Sequence, residues 1–205
     1  MLKTTFFNLI SAFSNDVSLR EVYWAEITQN YSSKNRHYHT LHHLENLFMQ
    51  LLPVKTEVED WYAILFSLFY HDLKYNVLRS DNEEKSAKWA VKRMHQLSVP
   101  LEIINRTEHT ILATQSHTCS SENDVNFFTD ADLSILGQDW KMYESYYQNV
   151  RKEYSVYPDL VYKKGRRKVL EHFLAMKRIY KTDYFYHLLE KKAKENILRE
   201  LELLS

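Results

Sequence analysis

Only two glycines and three prolines interrupt this chain of 205 residues. Tight hairpin turns draw on glycine's freedom at positive φ and on proline's fixed φ, so a many-stranded sandwich or barrel would need more of both. What the chain offers instead is apolar spacing at three and four residues. Leu41, Leu44, Leu47, Phe48 and Leu51 form one such series, and Ala87, Ala90, Val91, Met94 and Leu97 another. Residues so spaced share one face of a helix. The pattern breaks around 31–35, 53–59, 76–82, 98–101, 116–126, 136–139 and 157–165. The expectation is an all-α fold of about seven to nine helices. No repeat, low-complexity stretch or interdomain linker divides it. Residues 1–205 are therefore read as a single domain, with a site-bearing core over about 31–140 and C-terminal helices over 141–205 packing on it.

Charge narrows the classes of partner. Lysine plus arginine equals aspartate plus glutamate, 27 each, so no overall field draws the chain to nucleic acid or to an anionic membrane. The apolar run "WYAILFSLFYHDL" is shorter than the roughly 20 residues that span a bilayer, and it ends in His71 and Asp72. It reads as a buried helix. The opening "MLKTTFFNLISAFSND" has no small-residue cleavage site and reads as a helix too. A single cysteine, Cys119, excludes an intramolecular disulfide and fits a reducing compartment, so a cytoplasmic location is expected.

Chemistry concentrates in three places. "RHYHTLHHLENL" holds four histidines, at 37, 39, 42 and 43. On a helix, His39 and His43 share a face at i and i+4, and His42 turns away by about 100°. The adjacent His71 and Asp72 put one imidazole nitrogen and one carboxylate at the end of a strongly apolar run, a mixture that suits borderline divalent ions. In "FFTDADLSIL", Asp130 and Asp132 are two apart and cannot face one direction on a helix, so one is a ligand candidate and the other a cap or ion-pair partner. Asp81 followed by Glu84 reads as a helix start, with the aspartate accepting from first-turn amides and the glutamate reaching back.

In chain order, these elements resemble the HD superfamily of metal-dependent phosphohydrolases. The blocks "RHYHTLHHLENL", "HDLKY", "SDNEEKSA", "DADLSILG" and "GRRKVLEHFL" resemble a bacterial group of predicted HD phosphohydrolases of about this length. The resemblance implies a helical HD-domain fold and a hydrolase of phosphate esters, nucleotide-like or otherwise small. Its metal ligands would be His43, His71, Asp72 and Asp132, with Asp130 the alternative because the family's last aspartate usually stands between a small and an apolar residue. His39 would donate the proton. Glu83 or Glu84 would orient water, with the helix start as the competing reading. The cofactor implied is one essential divalent ion, among Mn²⁺, Mg²⁺, Co²⁺, Zn²⁺ and Fe²⁺.

Arg36 and Arg166 are candidates for substrate phosphate. For Arg166, in "KKGRRK", a solvated loop and helix start is the favoured alternative. His109 and His117 are eight apart and would face inward together if "RTEHTILATQSHT" were one helix. That would supply a second metal site, and with it a di-iron oxygenase as the alternative function. A metal-retaining, non-catalytic binding module is the third. The expected partner is a small phosphate ester, with a homo-oligomer left open.

Overall fold

The computed structural model describes residues 1–204, and among them every regular element is helical. The α-helices are α1 (Leu2–Ser11), α2 (Val17–Tyr31), α3 (Leu41–Leu51), α4 (Trp61–Tyr70), α5 (Asn82–Gln96), α6 (Leu101–Ala113), α7 (Asn123–Asp132), α8 (Trp140–Glu153), α9 (Asp159–Ala175) and α10 (Asp183–Leu203). Short 3₁₀ turns cover Leu52–Glu57 and Leu133–Gly137. The all-α expectation stands, with ten α-helices among the described residues in place of seven to nine. The apolar spacing conceals two breaks. One follows α1, where the Asp16 carboxylate accepts from the Ser18 amide at 2.8 Å and starts α2. The other lies between α9 and α10, where Thr182 is the N-cap.

The chain forms two compact units, Met1–Thr129 and the stretch from Asp130 onward. The division falls inside α7, so that helix begins in the first unit and its last turn is assigned to the second.

In the first unit α4 is central. Ala63 to Tyr70 are all buried, eight in a row. A helix apolar on every side needs partners on every side, and α1, α3, α5 and α6 supply them. Asp60 caps it by accepting from the Ala63 amide at 3.0 Å. Phe6 of α1 meets Phe69 edge-on with centroids 4.8 Å apart. His71 follows the last residue of this helix and is 1% exposed, so a polar ring is delivered into the core by the most apolar segment of the chain. The start of α5 differs from expectation. Asp81 makes no side-chain cap bond. Its carboxylate instead meets Arg79 at 2.9 Å and Lys85 at 3.0 Å, and Glu84 is exposed. Two nearby cations outcompete the free amides for it.

In the second unit α10 packs on the Leu133–Gly137 turn and on α9. Gly137 is required there. A Cβ at this position would lie 2.6 Å from Leu189 Cβ and 2.8 Å from the Leu189 carbonyl oxygen. Residues 163–168 lie within α9, not in a loop.

Candidate metal centre

Each histidine and acid can be placed from its element upward. His43 is buried on the first turn of α3, at 5% exposure. His71 projects from the C-terminal end of α4, and its Nδ1 lies 3.2 Å from the Leu68 carbonyl oxygen and 3.3 Å from that of Ser67. Carbonyl oxygens only accept, so Nδ1 carries the proton and Nε2 presents its lone pair. That lone pair lies 3.2 Å from Nε2 of His43. Asp72 Oδ2 is 3.2 Å from His71 Nε2 and 3.8 Å from His43 Nε2. Asp132, in the last turn of α7, completes a group with His43 and His71 in which one ligand atom from each lies within 4.8 Å of the others.

Two of these separations match donors that share one cation. Two donors each about 2.1 Å from one ion stand about 3.0 Å apart at a right angle and about 3.4 Å apart at a tetrahedral angle. The two 3.2 Å spacings fall between those values. The His43, His71 and Asp132 group could hold a metal ion.

Electrostatics around Asp72 reflect the same crowding. Burial alone pushes its carboxyl up, but the imidazoles of His71, His39 and His43 gathered around it outweigh this and hold the group below the usual carboxylate range. Glu83, half-buried on the first turn of α5, is pushed the other way. Burial raises its carboxyl and the Asp72 charge adds to this, while its own backbone amide, His117 and His71 oppose it. Glu83 therefore feels the cluster, whereas Glu84 is exposed.

His39 is placed by a route other than the one expected. It is not on a helix: Thr40, extended at φ −113° and ψ 179°, is the N-cap of α3. The i, i+4 argument therefore fails for this pair, yet the His39 and His43 rings still approach to 5.7 Å. The loop is held by Arg36, whose guanidinium donates to the His39 carbonyl at 3.1 Å and to the Leu73 carbonyl at 3.0 Å. His39 Nε2 ends 3.9 Å from Asp72 Oδ2.

Other candidates go elsewhere. The Asp130 carboxylate, fully buried, accepts from the Lys181 amide at 2.9 Å and from the amide and hydroxyl of Thr182, each at 2.7 Å. Those bonds engage Asp130 with the Lys181–Thr182 segment, while Asp132 joins the His43 and His71 group, so the two aspartates of α7 serve different ends. Arg166, a candidate for substrate phosphate, instead makes a bidentate pair with Glu200 at 2.8 and 2.9 Å in the second unit and is 8% exposed. His109 Nδ1 meets Glu122 at 2.8 Å on the surface. α6 ends at Ala113, and His117 lies beyond it at φ 51°, so the single helix that was to align these two does not form. His42 is exposed beside Glu45, and His37 is exposed too.

Sequence reasoning missed the aromatic frame. The Tyr75 ring lies 4.4 Å from that of His39, Tyr38 lies 5.1 Å from His43, and Phe128 packs edge-on to His71 at 5.6 Å. Tyr75 stands four residues after His71, the one sequence hint that it belongs nearby. No family model, curated protein or solved structure matches the chain.

Proposed function

We propose that this chain is a metal-dependent hydrolase of small phosphate esters, of the HD type that its motifs resemble. The observation that carries the reading is the buried meeting of His43 Nε2 and His71 Nε2 at 3.2 Å, with Asp72 beside them and Asp132 in the same group. Imidazoles brought together with carboxylates in a core have a reason to be there if they share a cation. His43, His71, Asp72 and Asp132 would hold it. A divalent ion supplies Lewis acidity, strengthening water as an acid and drawing charge from a phosphoryl oxygen.

The protein's own groups do the rest. His71 is locked in one tautomer by the Leu68 and Ser67 carbonyls, so its Nε2 stays a donor of electrons. Glu83, with its raised pKa, orients the attacking water and accepts its proton. His39 holds a proton at Nε2 and delivers it to the leaving oxygen. Arg36 keeps the His39 loop in place through its two carbonyl contacts.

The test is to purify the full chain without added metal, measure bound metals, and screen phosphate esters with Mn²⁺, Mg²⁺, Co²⁺ and Zn²⁺ under nitrogen and, in parallel, in air with oxygen consumption followed. About one divalent ion per chain and metal-dependent phosphate release without oxygen are expected. Two irons per chain with oxygen uptake would replace the reading with an oxygenase. Retained metal with no turnover across the panel would make the chain a binding module.

A further inference from the structure

Outside the histidine cluster, the first unit contains an open cleft of about 530 Å³. That volume lies within the range of small-molecule sites. Its lining gathers Arg36, Lys74, Arg79 and Lys85, and no aspartate or glutamate is among the described residues that line it. In a chain whose charges cancel, 27 against 27, this is a local excess.

The neighbouring acids do not cancel it. Asp81 is one carboxylate shared between Arg79 at 2.9 Å and Lys85 at 3.0 Å. Glu26, the acid whose charge acts on Lys74, is taken up by Arg93 and by the Trp89 indole N–H. Lys74 itself sits with Nζ 3.9 Å above the Trp89 ring, a contact that supports the cation and satisfies none of its hydrogen-bond donors with an acceptor oxygen. Arg36 lies between the rings of Tyr31 and Tyr75, at 4.7 and 5.3 Å, and is 9% exposed. Like charges gathered in a concave, partly desolvated wall repel one another and focus a positive field into the cleft. An anion relieves both effects.

The chemistry of the anion follows from the donors. Arginine forks and lysine ammonium groups match phosphate oxygens, and four lining cations, of which Arg79 and Lys85 share the one carboxylate of Asp81, call for more than a single negative charge. The exposed Gln29 adds a neutral side-chain amide, and the exposed part of Tyr75 offers a ring. We propose that this cleft binds a small molecule carrying two adjacent phosphate groups, at a site of its own beside the histidine cluster. The inference goes beyond the hydrolase reading and does not require it.

The test uses the full chain treated with a chelator, so that the histidine cluster holds no metal. Inorganic pyrophosphate and adenosine diphosphate are titrated separately by calorimetry at low salt. Saturable binding of one pyrophosphate per chain is expected, weakening as salt rises. Lys74→Gln and Lys85→Gln should each weaken it about tenfold, the effect of losing one charge-assisted hydrogen bond. His43→Ala should bind as the parent does. Equal affinity for both probes supports a site for the phosphates alone, and tighter adenosine diphosphate supports one extended to the nucleoside. Absence of binding, unchanged affinity in both lysine variants, or loss of binding in His43→Ala would each overturn the proposal. Thermal melts of every variant confirm folding, and Lys85→Gln alters only a half-exposed surface pair.

Discussion

His43, on α3, and His71, just past the end of α4, point their Nε2 atoms at each other across 3.2 Å, and both rings are buried. The His71 nitrogen is a lone pair, because the proton on that ring is committed to backbone carbonyls. That nitrogen is therefore an acceptor facing a second imidazole, with the Asp72 carboxylate 3.2 Å away.

Replacing His43 or His71 with alanine should release bound divalent metal after dialysis. The loss of affinity should exceed the roughly 10–100-fold typical of outer-shell changes. Replacing His39 with glutamine should leave metal bound and lower any turnover by roughly 10²–10⁴-fold. Elemental analysis beside phosphate release separates the two classes. Equal metal loss in the His39 variant would make that residue a ligand.

Asp130 and Asp132 should part company under mutation. Asp130→Ala strands the amides of Lys181 and Thr182 and removes a carboxylate 3.4 Å from the nearly buried Lys181 ammonium. A cost of roughly 3–5 kcal/mol in urea unfolding is expected. Asp132→Ala should cost far less stability in the metal-free protein and should lower metal content. The reverse pattern would exchange their roles.

Glu83 gives a pH test. Its folded-state pKa is raised, chiefly by burial. The folded chain therefore holds this proton more tightly than the unfolded chain does. The resulting stability is present below the unfolded value, about 4.3, and is lost as pH rises through the folded value. Thermal melts of the chelator-treated protein should find Glu83→Gln gaining on the parent as pH rises from that range toward neutrality. The same variant should be slower in phosphate release. A constant difference across pH would remove the desolvation argument.

The two glycines should respond in opposite directions. Gly165 lies inside α9 at a φ that is not positive, and a Cβ added there would meet nothing within 4 Å. Gly165→Ala should stabilise the fold by about 0.5–1 kcal/mol. Gly137→Ala forces Leu189 and its carbonyl to move and should cost roughly 1–3 kcal/mol. Urea midpoints of both variants decide the matter.

Arg166 should matter for stability and not for substrate. Arg166→Ala leaves Glu200 and Tyr143 with a buried, uncompensated charge between them. The expected cost is roughly 3–5 kcal/mol, with KM for any phosphate ester unchanged. A raised KM with stability intact would return Arg166 to substrate binding.

Several features were legible in the sequence because local rules dominate them. The buried α4 follows from a run apolar on every side, and the divergence of Asp130 from Asp132 follows from their spacing on one helix. Other features depended on partners that spacing does not reveal. Asp81 looked like a cap until Arg79 and Lys85 took its oxygens. His39 reached the cluster from a loop, and His117 left its helix at positive φ. Arg166 looked like a surface cation because its partner, Glu200, stands 34 residues away in the chain.

The Arg36 clamp has a consequence for how the site responds to temperature. Residues 36–40 have no ladder of helical hydrogen bonds; a guanidinium that bridges the carbonyls of His39 and Leu73 helps to order them, beside the ring contacts of Tyr38 and His39. The entropy of arranging that loop is lost when the chain folds, not when a ligand arrives, so the site is preorganised. It also makes the loop the place where the first unit can open locally while α3 and α4 stay intact. Amide exchange at His39 should therefore run ahead of exchange at Leu44 and Leu68, and warming should blunt His39 well before the fold melts.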